Sequence, residues 1–178
     1  MLQLLIEETT GEPFDSYMQT EVLQPLDMKN STYDFRRVNK KLLSKAYDRA
    51  GNMVPNYLFP EKAAAGLYTT AADLAKFMAA SFVGPNNEVP GRDVLSAATL
   101  ELMFQSTKES NGTWGLGYQV GLNSLSTNEK IVLHSGSNSG WKVVFVEKPE
   151  SGDGIVILTN SDNGVDLMLE LVKKCGSN

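Results

Sequence analysis

A single cysteine, Cys175, and a single histidine, His134, are all this chain has of the two residue types that most often bind transition metals. One cysteine excludes an internal disulfide, and without a Cys/His cluster a zinc site is not expected. The reading is no metal and no cofactor. Long runs of Lys and Arg are absent and the net charge is −5, so nucleic acid is not an expected partner. No apolar stretch approaches the roughly 20 residues of a membrane span. Leu2 to Ile6 is too short for a signal peptide and lacks its basic flank. Repeats and low-complexity tracts are absent too. What remains is ordinary for a globular protein: 178 residues, 42% hydrophobic and 21% charged, enough for one domain with a real core or most of one.

The chain opens inside a helix. Leu2, Leu5, Ile6 and Thr9 recur at helical spacing and Gly11 supplies a stop. An opening without a cap implies sequence upstream. Pro13 suits the first turn of a second helix, with Phe14, Tyr17, Met18 and Val22 along one face, broken at 24–28. Residues 30–66 read as irregular, with short strands at 45–48 and 53–54 around a turn at Gly51-Asn52. The small segment Ala63-Ala64-Ala65-Gly66 can sit against another backbone or a ligand. Thr70 is placed to cap a helix with Leu74, Phe77, Met78 and Phe82 inward, and Asp73 in its first turn suits the dipole. Ser96 caps another, with Leu100, Met103 and Phe104 inward. From Trp114 the period changes to 2. Runs at 116–122, 130–134, 141–147 and 154–159 predict an antiparallel sheet, and 163–174 a closing helix. The expected class is α+β of sandwich type: three to five antiparallel strands with flanking helices, residues 1–112 forming part of a helical subdomain and 113–178 the sheet and its last helix.

His134-Ser135-Gly136 closes the apolar run Ile131-Val132-Leu133. A hydroxyl residue and then Gly at a strand edge let a substrate backbone lie against the strand, and a basic residue before them can anchor an anion. That pattern is an active-site wall. Alone, a histidine at a strand end is more often structural.

Taken in order, these segments resemble the C-terminal half of the serine β-lactamase-like family, which includes class C β-lactamases, D-alanyl-D-alanine carboxypeptidases, D-aminopeptidases and esterases. Leu4 to Gly11 with Pro13-Phe14 is similar to its helical subdomain's helix pair. Leu23 to Thr32 resembles its "PLGM-x-x-T" turn, and Ala65 to Leu74 its "GGL-x-S-T-x-x-D-L" segment. Gly115 to Tyr118 is similar to its "GLGW" strand entry. His134-Ser135-Gly136 resembles its third motif, Lys/His-Thr/Ser-Gly, and Gly154 to Asn160 its final strand. The resemblance implies an incomplete β-lactamase/transpeptidase-like fold with the site between the two subdomains. It implies a Ser-x-x-Lys nucleophile, a Tyr-x-Asn proton shuttle, and an oxyanion donor at the backbone N–H of Ser137. His134 and Ser135 would orient the substrate's anionic end, Gly136 would keep the edge open, and Asn160 would help bind a carboxylate or cap the last turn. The family is often periplasmic or extracytoplasmic.

Two of the family's motifs lie upstream of the helix that corresponds to residues 2–9. No tyrosine here is followed by x-Asn, and the sole Ser-x-x-Lys is Ser139-Gly140-Trp141-Lys142. On a helix, residues three apart share a face; at a strand entry they do not, so this match reads as coincidence. The chain is expected to be inactive alone. His134 in place of Lys, and small Ala65 where cephalosporinases tend to carry an aromatic, tilt the parent toward a peptidase or esterase. Its partner is a small-molecule or peptidoglycan-like substrate. A non-catalytic binding module is the alternative reading, and a chain that regains activity beside an N-terminal fragment is a third. Strand 154–159, deprived of a neighbour, is expected to support a homodimer.

Overall fold

The computed structural model describes residues 1–123 and 128–175. Helix α1 (Leu2–Thr10) ends where Gly11, at φ 71°, closes it by donating its N–H to Glu7 O. Helix α2 (Phe14–Met18) starts one residue after Pro13, which takes the cap position, and runs into a π-helical turn, Gln19–Leu23. Two-residue strands β1 (Ala46–Tyr47) and β2 (Met53–Val54) pair antiparallel. The small segment near 63 is a helical turn, α3 (Lys62–Ala65), rather than an irregular loop. Helix α4 (Ala71–Ala79) begins at Thr70, whose hydroxyl accepts from Asp73 N, and α5 (Ala97–Met103) begins at Ser96, which accepts from Thr99 N.

The C-terminal third is a four-stranded antiparallel meander in the order β3-β4-β5-β6: Gln119–Asn123, Lys130–Asn138, Trp141–Lys148 and Asp153–Thr159. Helix α6 (Gly164–Cys175) follows. Strand β4 runs four residues beyond the expected end at His134, because its partner β5 pairs with it as far as Asn138↔Trp141. Residues 116–118, expected as the start of a strand, instead belong to a tight turn in which Gly115 N–H bonds Tyr118 O.

Side chains alternate across the sheet and each face has its own cover. One face carries Val132, Phe145, Val143 and Val156 and packs against Leu74, Met78 and Phe82 from α4 and its C-terminal turn, and Leu100 and Phe104 from α5. The other carries Val144, Ile157, Val146 and Ile155 and is covered by Met168, Leu171 and Val172 of α6. Each fully buried Leu, Met or Phe in these layers contributes roughly 1.5–3 kcal/mol. A third cluster, Leu23, Leu26, Met28 and Ala80, seats the 23–28 turn on α4. The chain is therefore α+β, with helices flanking antiparallel strands. No helix among the described residues is long and apolar enough to cross a membrane.

Candidate active site

The β4–β5 hairpin has a two-residue loop, Ser139-Gly140, and a continuous register from Val132↔Glu147 to Asn138↔Trp141. In such a hairpin the residues flanking the loop exchange both backbone hydrogen bonds, and antiparallel ladders alternate from there. The N–H and C=O of Asn138, Gly136, His134 and Val132 therefore turn toward β5. Those of Ser137, Ser135, Leu133 and Ile131 turn the other way. There β3 takes up Leu133, opposite Gln119, and Ile131, opposite Leu122. Its pairing stops at Leu133. Among the described strands none pairs with β4 beyond that point, so Ser135 and Ser137 direct their backbone groups to an open edge, and both residues are exposed.

Side chains follow the second alternation. His134 and Gly136 face the α4/α5 side; Ser135 and Ser137 face the α6 side. His134 is exposed at the surface and stacks over Phe145 at 6.3 Å and 28°. The Trp114 ring meets it edge-on at 6.1 Å and 80°. Gly136 lies close over β5: a Cβ there would come within 2.8 Å of Val143 Cγ1. Four of the five expected site residues, His134 to Ser137, thus share one strand edge, but His134 and Ser135 can touch one bound group only by straddling that edge.

Asn160 lies elsewhere. It follows β6, so β5 separates it from Ser137, about 10 Å away at ordinary strand spacing. Its amide Nδ2 donates to Lys45 O at 2.8 Å, and its main-chain O accepts from Tyr47 N at 3.0 Å. It fastens β1 to the end of the sheet.

The Ser139-x-x-Lys142 match spans the hairpin loop. Lys142 Nζ donates to Asn138 O at 2.8 Å and to Trp141 O at 3.3 Å, and pairs with Asp162 Oδ1. Asp162 also accepts from Gly140 N at 2.9 Å; the Lys142 ammonium, then Gly140, hold its carboxyl below the usual carboxylate range. The lysine is a clamp on the hairpin, and its ammonium is committed. Gly140 sits at φ 74° with Ala46 and Val54 so close that a Cβ would fall 2.7 Å from each. The hairpin tip is thereby wedged between β1–β2 and the 160–162 loop.

The Beta-lactamase family profile matches residues 1–171. The chain belongs to the beta-lactamase family. A Bacillus subtilis (strain 168) protein named as penicillin-binding protein PbpX is 25% identical over 154 residues, covering 82% of this chain and 37% of that protein. The solved octameric penicillin-binding protein homologue from Pyrococcus abyssi superposes with a TM-score of 0.70 at 29% identity, covering 90% of this chain and 36% of that one. The D-alanine carboxypeptidase AmpC structure from Burkholderia cenocepacia gives 0.72 at 18% identity, covering 91% and 54%. That last likeness is one of fold. The chain thus spans between about a third and about half the length of these relatives.

Within this beta-lactamase-family fold, sequence reasoning did not single out Trp114, Asp162 or Glu147. Asp162 left one signal, an acidic residue just after the final strand and 20 positions from Lys142. Glu147 left a fainter one, a charge following the apolar run of β5. Trp114 gave no signal of site membership, because its contact with His134 depends on where β3 ends.

Proposed function

We propose that residues 134–138 form the strand-edge wall of a serine acyl hydrolase acting on a D-alanyl peptide, ester or β-lactam, and that the attacking hydroxyl and its base lie outside this polypeptide. The observation that carries the reading is the open stretch of β4, with two backbone N–H groups aimed off the sheet at the Ser-Gly-Ser positions. An acyl group laid there would set its carbonyl oxygen against Ser137 N–H. A preorganised donor of that kind is worth roughly 3–4 kcal/mol of barrier. Gly136 leaves the edge low, His134 supplies a cation or donor on one face for the substrate's anionic end, and Ser135 supplies a hydroxyl on the other. Residues 1–112 serve as the helical flank and 113–178 as the wall. No metal or cofactor takes part in this scheme.

The chain alone is then expected to lack efficient turnover, since covalent catalysis without its nucleophile loses most of its rate. The test is hydrolysis of a chromogenic β-lactam and a D-amino acid ester by the purified chain. Turnover at the background rate agrees with the proposal. Saturable turnover abolished by Ser135→Ala or His134→Ala would refute it.

We also propose a homodimer through β6. It is an edge strand, its alternation directs the backbone of Gly154, Val156 and Leu158 outward, and Leu158 is 36% exposed. The oligomeric Pyrococcus abyssi homologue is in keeping with association in this family.

A further inference from the structure

Trp114 has a backbone tied down on both its N–H and its carbonyl while its ring is not buried. Its N–H donates to Ser110 Oγ at 2.9 Å, and its carbonyl accepts from Thr107 N at 2.8 Å and from Ser110 Oγ at 2.9 Å. Just after it, Gly115 N–H bonds Tyr118 O and Leu116 N–H bonds Met103 O, both at 2.9 Å. A bridge to Gln119 ties the residue to the start of β3. Yet Trp114 stays 41% exposed. A rigid turn is holding a large apolar ring at the surface.

The place where it is held follows from the ladder. Gln119 is the last β3 residue to pair with β4, opposite Leu133, and Trp114 is bridged to that same Gln119. The ring therefore borders the point where the β4 edge opens. It stands on the His134 face, edge-on to the imidazole, and His134 stacks in turn on core residue Phe145. The three rings form a row from the surface into the core, with the open edge at its outer end.

We infer that Trp114 is a specificity-determining residue, an apolar wall that selects acyl donors with an aromatic acyl side chain at the β4 edge. The inference rests on the proposed role of that edge. An isolated exposed Trp needs no explanation. One that is clamped beside an open strand and packed on the motif histidine is placed to meet whatever docks there. An offset or edge-to-face aromatic pair adds about 0.5–1.5 kcal/mol, or roughly a two- to twelvefold preference over a methyl group before the added buried area is counted.

The test compares two probes, N-phenylacetyl-D-alanine and N-acetyl-D-alanine, titrated into the ¹⁵N-labelled chain. Both are expected to shift the amides of Ser135 and Ser137. The phenylacetyl probe should bind roughly two- to twelvefold more tightly and also move the Trp114 indole resonance. Trp114→Ala should bind both probes alike, and Trp114→Phe should keep part of the preference with the rest of the spectrum in place. Equal affinities in the unaltered chain, or a preference that survives Trp114→Ala, would overturn the inference while leaving the edge reading standing. If neither probe shifts Ser135 and Ser137, both fall.

Discussion

Glu147→Met is expected to stabilise the fold above pH 8 and to flatten its pH dependence. Glu147 sits on β5 between Val132 of β4 and Gly154 of β6, on the face covered by α4. Its side chain is completely buried, and neither carboxylate oxygen has a hydrogen-bond partner. The buried Ser81 hydroxyl is near enough to ease the cost slightly without making a bond of normal geometry. The other polar neighbour is the buried Tyr118 phenol, pushed up first by its own burial and then by the Glu147 charge. An unpaired buried carboxylate is costly, so the group keeps its proton; burial pushes its pKa up from 4.5 to about 8.

The sign follows from linkage. The folded pKa lies above the unfolded one, so the folded chain holds the extra proton between them. The stabilisation is complete below 4.5 and is lost as pH rises to about 8, at about 1.4 kcal/mol per pH unit. The sum over that window is a few kcal/mol, a large part of a typical stability of about 5–15 kcal/mol. Methionine keeps most of the volume and removes the penalty; replacing buried charge by apolar groups commonly gains about 1–4 kcal/mol. Urea denaturation at pH 5, 7 and 9 checks it. The unaltered chain should weaken across the series, and Glu147→Met and Glu147→Gln should both run flat. A parallel decline in all three would show that Glu147 is not the group responsible.

Asp73→Ala carries the other large effect, in the opposite direction. Asp73 is 1% exposed in the first turn of α4. Its Oδ2 accepts from Asn30 N at 2.7 Å and from Ser31 Oγ at 2.9 Å, with Lys76 Nζ at 3.6 Å from Oδ1. Ser31 Oγ shares a further hydrogen bond with Thr69 Oγ1 at 2.7 Å. One carboxylate thus pins a turn some forty residues away to the helix that roofs the sheet. Truncation strands a backbone N–H and a hydroxyl in a buried place and removes a charge favourable to the helix N-terminus. The expected loss is about 3–5 kcal/mol. Denaturant titration reads it, together with faster exchange at the Asn30 amide. A loss below about 1 kcal/mol would mean that solvent or a neighbour replaces the carboxylate.

Local rules recovered much of this fold from the sequence. The caps Thr70 and Ser96, the stop at Gly11 and the period-2 runs of β4, β5 and β6 all fell where side-chain chemistry alone would set them. Errors came where tertiary pairing decided. Strand β4 outran its apolar stretch because β5 supplied partners for Ser135 through Asn138, a polar tail that no pattern of hydrophobicity marks. The turn at 115–118 interrupted a sequence that reads as strand, because Leu116 N–H is drawn to Met103 O at the end of α5. The candidate site divided the same way. His134-Ser135-Gly136 was legible from a strand meeting small residues. That Ser135 and Ser137 aim their backbone off the sheet required knowing where β3 stops. The engagement of Asn160 with Lys45 is a contact across 115 residues, invisible to local reading.

Native-state amide exchange probes both sheet edges at once. Along β6, protection of Gly154, Val156 and Leu158 that fades on dilution would support the proposed dimer, and exchange that is rapid at every concentration would count against it. Along β4 it tests the central claim. If residues 134–138 are an open edge, Ser135 and Ser137 exchange fast, while His134 and Gly136, bonded to β5, and Ile131 and Leu133, bonded to β3, exchange slowly. Uniform protection through Ser137 would mean that the edge is already filled and has no room for an acyl group.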